Sequence, residues 1–248
     1  MNLKLIACNV FMREACYGVA LSPHVIDLEF TELGDHIHSG TLRERLQALI
    51  DAAATSGKEY DAILLLFGLC GNATVGLQAR KIPMVIPRAH DCCTILLGSK
   101  EAFRTHFADN PSRPFSSAGY LERGDYYMRV EDGENRIHYG DGFAAYVEQY
   151  GEENARYIWE TMHPAHLDLD NKAVFIDVPE TAGLGYAGQF KAVVESEGKE
   201  CVVLPGSLAI IRGLLSGEWD PQVFLKIEPG QRVQGAYDWD EVIRAVGP

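Results

Sequence analysis

The chain has 248 residues, of which 47% are hydrophobic, 23% charged and 10% aromatic, a balance that excludes a disordered or collagen-like chain. Its 22 basic and 35 acidic residues leave a formal charge of −13, a field that repels phosphate backbones and excludes a nucleic-acid-coating role. The longest apolar runs, such as Ala62–Phe67, fall far short of the roughly 20 residues a membrane helix needs, and the opening Met1-Asn-Leu-Lys-Leu-Ile-Ala-Cys8 reads as a strand rather than a signal peptide. A cytoplasmic protein with no membrane partner is expected.

In chain order, Leu3–Ala7 is a short apolar strand, and Val25–Leu33 alternates apolar and acidic residues as a strand with one wetter face does. Thr41-Leu-Arg-Glu44 has the form of a capping box, and Leu42, Leu46, Leu49, Ile50 and Ala53 follow at helical spacing. Ala62–Phe67 is an uninterrupted apolar run, as in a central parallel strand covered on both faces. Met84–Pro87 is a further strand, and one helix is expected from Cys92 through Phe107. Residues 112–142 are aromatic, polar and weakly periodic, and Tyr120, Tyr126, Tyr127 and Tyr139 make them a candidate lid. Phe143–Met162 returns to helix. Three short strands follow, Ala173–Val178, Cys201–Leu204 and Val223–Ile227, with helices at Gly185–Glu197 and Ser207–Leu215 between them, Ser207 serving as N-cap.

This alternation predicts an α/β fold: mostly parallel sheets flanked by helices, in two intimately packed Rossmann-like lobes. The expected division is a lobe over 1–110, an irregular excursion over 111–142 and a second lobe over 143–248. Four of the strands close on proline, at Pro87, Pro179, Pro205 and Pro229.

Ligands of open parallel sheets gather outside the carboxyl ends of the strands. In the first half every such end delivers a thiol or an imidazole: Cys8; His36 and His38; Cys70 within Gly68-Leu-Cys-Gly-Asn72; and His90, Cys92 and Cys93 after Pro87. If the strands are parallel, these groups share one sheet edge whose strands lie roughly 5 Å apart. Cysteine sulfur and histidine nitrogen are the ligands that zinc and iron select. Without an export signal, metal ligation or catalysis outweighs disulfides for the six cysteines. Cys8, Cys70, His90 and one of the adjacent Cys92 and Cys93 form the candidate ligand set. Cys201, in an apolar run, and Cys16, away from any strand end, are expected to be structural. Gly68, Gly71 and Asn72 would let main-chain amides approach a cofactor, and Gly206-Ser207 at a helix start is a generic anion pocket. Gly183-Leu-Gly-Tyr-Ala-Gly188 fits the dinucleotide fingerprint in letters, but it lies several residues past its strand and lacks the ribose-binding acid.

Phe67-Gly-Leu-Cys-Gly-Asn72, Gly76-Leu77, Ile86-Pro-Arg-Ala-His-Asp-Cys92 and Leu96-Leu-Gly-Ser99 resemble the family catalogued as domain of unknown function 1638. The resemblance picks Cys92 over Cys93, which replaces a more usual aliphatic residue. It also aligns His36 with a family histidine, with Asp35 and Ser39 as departures from the usual pattern. His36, Arg88 and Asp91 are the catalytic candidates. Labels carried by some family members imply methyl transfer or one-carbon metabolism linked to a corrinoid protein. The chain has no Asp-x-His-x-x-Gly motif, so a corrinoid would enter only through a partner. The expected function is a metal-dependent enzyme with a small-molecule substrate and zinc as cofactor. The alternatives are an iron or iron–sulfur redox protein using the same cysteines, a cysteine hydrolase with His90 as base, and a non-catalytic corrinoid- or metal-binding partner.

Overall fold

A computed structural model of the chain describes residues 1–33, 39–111, 113–123, 147, 152 and 171–247. The helix expected over Phe143–Met162, most of the candidate lid, and His36 and His38 lie outside them.

Leu3, Leu5, Ile6 and Ala7 are shut away from solvent on both faces of β1 (Asn2–Cys8), as are the residues of β3 (Ala62–Leu66), so these two strands form the spine of the principal sheet. β1 pairs in parallel with β2 (Val25–Thr31) on one side and β3 on the other; β3 continues in parallel to β4 (Met84–Pro87). The chain therefore leaves β1 first in one direction and then in the other, so the carboxyl ends of β1 and β3 flank the point where strand order reverses, the usual ligand position in such sheets. A three-residue 3-10 turn (Asn9–Phe11) and α1 (Met12–Leu21) join β1 to β2, and α2 (Ser39–Thr55) joins β2 to β3. The helix α2 begins two residues ahead of the expected Thr41, and Leu42, Leu46, Leu49, Ile50 and Ala53 form its buried stripe as the periodicity requires.

The single helix expected over Cys92–Phe107 is two. α3 (Cys92–Leu97) stops at Gly98, whose φ of 81° is left-handed, and Ser99 then caps α4 (Lys100–Phe107) by accepting from the Ala102 amide. A Cβ on Gly98 would lie 2.6 Å from the Ser207 Cβ, so the break accommodates a segment arriving from far along the chain.

A second sheet is wholly parallel: β5 (Phe115–Ser116), β6 (Lys172–Asp177) and β7 (Glu200–Pro205). β5 leads into α5 (Ala118–Glu122), α6 (Tyr186–Ser196) connects β6 to β7, and α7 (Ala209–Ser216) follows β7. Cys201 is half-buried against Ala173, Phe175, Phe190 and Val194, in keeping with a packing role, whereas Cys16 is exposed on α1. The strand expected at Val223–Ile227 forms as β8 (Phe224–Ile227), but it runs antiparallel on the outer edge of β4. An antiparallel hairpin, β9 (Arg232–Gly235) and β10 (Ile243–Val246), ends the described chain. The architecture is thus mixed α/β, with a mostly parallel central sheet flanked by helices. Among the described residues no helix is long and apolar enough to cross a membrane.

Arg88 binds the terminal hairpin to the end of β4. Its guanidinium donates to the carbonyls of Pro221 (2.8 Å), Glu241 (2.9 Å) and Ile243. Arg88→Ala should therefore lower unfolding free energy by about 2–4 kcal/mol in urea titrations, since carbonyls would lose a charged donor. Arg88→Lys should recover only part of it, because an ammonium cannot span the same fork.

Candidate functional site

The sequence brings two thiols together through a backbone fit between the ends of β3 and β4. Beyond the last paired residues the two chains stay hydrogen-bonded: the Leu69 amide donates to the Ala89 carbonyl (2.8 Å) and the Cys70 amide to the His90 carbonyl (2.9 Å). Only glycine can stand at residue 68. A Cβ there would lie 2.7 Å from both the nitrogen and the Cα of Asp91. Cys70, Gly71 and Asn72 then take φ values of 46°, 60° and 69°, three left-handed residues in succession, two of which carry side chains that disfavour the conformation. Arg43 braces this turn by donating from Nη2 to the Asn72 carbonyl (2.9 Å).

Across from the turn, Asp91 caps α3 by accepting from the Thr94 amide (3.1 Å). Its carboxyl is partly buried, and desolvation pushes it up to about 6 despite the amide hydrogen bonds from Thr94 and Cys93. Cys92 opens the helix, and its thiol lies near enough to the Cys70 side chain and the Tyr120 hydroxyl on α5 to be influenced by both. The contact with Cys70 above all, then burial, holds the Cys92 thiol well above the ordinary thiol range. Cys93 is buried, and burial raises its thiol too.

The other candidates lie as follows. Cys8, at the end of β1, is fully buried and level with Thr31 of β2. His90 shares its backbone with the thiol turn, but its ring packs on Phe103 (centroids 5.6 Å apart) and on Trp239 (5.2 Å), and Nε2 is buried without a hydrogen-bond partner. Burial holds this imidazole below its ordinary value. Arg88 is engaged by the carbonyls of the C-terminal segment. Gly206 and Ser207 are taken up in packing: a Cβ on Gly206 would meet Val178 at 2.8 Å, and the Ser207 amide donates to the Leu96 carbonyl (2.8 Å). Of the four expected metal ligands, Cys70 and Cys92 meet. Among the described residues no three His, Cys, Asp or Glu side chains form a group that could hold a metal ion. Two thiols and a phenol fit part of a zinc shell and not a whole one.

Sequence reasoning missed a polar group beside the thiols. α5 lies directly on the turn that follows β1: a Cβ on Gly119 would come 1.7 Å from the Val10 carbonyl oxygen. Around this junction Asn9, Glu14, Thr31, Ser116 and Ser117 are all buried, and among the described residues Asn9 Oδ1, the Glu14 carboxylate oxygens (which feel only Glu14's own backbone amide) and the three hydroxyls find no hydrogen-bond partner in another residue. Glu14 stands beside Ala15 on the buried side of α1, and desolvation pushes its carboxyl up to about 7. A carboxylate at a helix position that otherwise faces the core, next to small buried residues, was the available signal. Tyr120 gave none beyond its membership of an aromatic stretch.

Because Glu14 binds its proton more tightly in the folded than in the unfolded chain, the fold should lose stability as pH rises from about 4.5 to about 7. Denaturant midpoints measured across that range should fall for the parent. They should fall less for Glu14→Gln, which retains the parallel contribution of Asp91 between about 3.8 and 6 and the opposing one of His90, whose imidazole burial holds low.

The model of a family described as "Protein of unknown function (DUF1638)" matches residues 30–215. No curated protein and no solved structure matches the chain.

Proposed function

The chain belongs to this family of proteins of unknown function, most of its length lying within the match, and we propose that it is a thiol-dependent enzyme acting on a small-molecule substrate through the Cys70–Cys92 pair. One observation carries the reading: Cys70 and Cys92, delivered by two different strand ends, come close enough at the sheet's carboxyl edge for the Cys70 side chain to be the largest influence on the Cys92 thiol. Two Rossmann-like lobes facing each other across that edge are the architecture the reading assumes, in a reducing, cytoplasmic setting.

Cys70, in the left-handed turn, is the attacking group. Its thiolate displaces one sulfur of a small disulfide, releasing one thiolate and leaving a mixed disulfide on Cys70. Cys92, losing its proton to solvent, attacks the Cys70 sulfur and releases the second thiolate. The substrate gains two electrons and the pair becomes a disulfide, which two equivalents of a low-molecular-weight thiol reduce in turn, leaving as their own disulfide. The nearby Tyr120 hydroxyl favours the ionised form of Cys92.

A second reading has the same two thiolates as ligands of zinc, or of iron or an iron–sulfur cluster. Residues outside the described set, His36 among them, would complete the shell, and methyl transfer with a corrinoid protein as partner would be the chemistry. What favours it is that, among the described residues, the groups acting on Cys92 are Cys70, Asp91 and Tyr120, none of them a cation; a metal's charge would draw off the protons.

Oxidation with diamide followed by peptide mass mapping should yield a Cys70–Cys92 disulfide in the parent and in Cys93→Ser. Cys70→Ser and Cys92→Ser should each lose roughly a hundredfold or more of turnover with hydroxyethyl disulfide. If both thiols stay alkylatable after oxidation, and anaerobically purified protein carries about one metal per chain that Cys70→Ser lacks, the metal reading replaces the dithiol one.

A further inference from the structure

The buried polar atoms of Asn9, Glu14, Thr31, Ser116 and Ser117 that find no partner among the described residues share one chemical character. Asn9 has its amide engaged, Nδ2 donating to Glu32 Oε2 at 2.6 Å, so only its carbonyl oxygen is left over. Glu14 offers two carboxylate oxygens. The hydroxyls of Thr31, Ser116 and Ser117 can each accept as well as donate. The obligatory acceptors thus outnumber any obligatory donor, of which the set has none.

These atoms come from segments that meet. Asn9 follows Cys8, and Cys8 is paired in register with Thr31. Glu14 lies on the first turn of α1, just beyond the turn on which Gly119 rests, and Ser116 and Ser117 lead directly into the helix that carries Gly119. The surrounding charge has the same sense. Glu122 and Glu180 act on Glu14 as like charges, while Arg13, the nearby cation, is committed to Glu122 at 2.6 Å. Tyr186 completes that pair by donating to Glu122 Oε1 (3.1 Å). Buried acceptors are matched by donors in folded proteins, so a group of them left open marks a place where a donor-bearing ligand or ordered water belongs.

We propose that Asn9, Glu14, Thr31, Ser116 and Ser117 form a binding subsite for the protonated amine of a small-molecule ligand. An ammonium supplies only donors and a positive charge, which is what three obligatory acceptor oxygens and the neighbouring carboxylates require. The subsite goes beyond the dithiol reading and does not depend on it, although Ser117 and Tyr120 lie within one turn of α5 and would set the amine close to the thiols. It also accounts for a carboxyl kept buried at the expense of stability: Glu14 is an incomplete ion pair whose cation arrives with the ligand.

The test uses the full chain and n-propylammonium, with propanol as an uncharged partner of the same size, read by isothermal calorimetry and by the thermal midpoint at pH 8. Propylammonium should bind and raise the midpoint, whereas propanol should do neither. Glu14→Gln, nearly isosteric, should weaken binding by at least about tenfold, the worth of one charge-assisted hydrogen bond. Its midpoint without ligand, at or above the parent's, would show that the fold is intact. Affinity should fall as pH drops below about 7, where Glu14 takes up its proton. Cys70→Ser should bind propylammonium as the parent does, which separates failure of the subsite from failure of the dithiol reading. Equal stabilisation by propanol, no binding by the parent, or unchanged affinity in a folded Glu14→Gln would each overturn the proposal and leave ordered water as the occupant.

Discussion

The candidate site rests on one backbone contact, the approach of Gly68 to Asp91. Formal pairing between β3 and β4 ends early, yet the hydrogen bonds at Leu69 and Cys70 carry the ladder on past both strands. That extension places a left-handed turn beside a helix start, and so sets a thiol on one beside a thiol on the other. A side chain at residue 68 would push the two segments apart by more than the hydrogen bonds tolerate. The same contact seats Asp91 over the α3 amides, which orients the first turn and therefore Cys92. Backbone geometry, more than side-chain affinity, assembles the pair.

Much of this was readable from the residues. The apolar run at 62–67 specified a strand covered on both faces, and the stripe in α2 followed directly from its period. Convergence of Cys70 and Cys92 was expected from parallel strands ending on the same edge. The orientation of His90 was not, because it depends on Phe103 from α4 and Trp239 from the C-terminal segment, partners that no local pattern announces. The break at Gly98 escaped for a related reason: both halves have helical composition, and it is the Ser207 side chain, distant in sequence, that requires the glycine. The antiparallel sense of β8 is likewise tertiary, since a short apolar run reads the same in either direction. Glu14 was passed over because a single carboxylate in a short helix reads as a solvated face until the packing of α5 is known.

The two halves of the site differ in what they cost. The thiols are small and tolerate enclosure beside each other, so the core around them is hardly compromised. The acceptors around Glu14 are another matter: enclosure without partners works against folding at each of them. A protein keeps such groups where they serve something other than stability, which is why the uneconomical part of the molecule lies beside its reactive part.

β8 gives the fold a temporal asymmetry. β1 to β4 find their mutual strand-pairing partners within the first 87 residues, so this part of the sheet can pair once that much of the chain has been synthesised. The strand that covers the outer edge of β4 comes only at Phe224–Ile227. During vectorial synthesis, then, β4 presents open amides and carbonyls on a wholly apolar strand for as long as the second sheet takes to emerge. A nascent chain stalled in that interval is the form in which this protein is most exposed to intermolecular strand addition, and the form for which a holding chaperone would matter most.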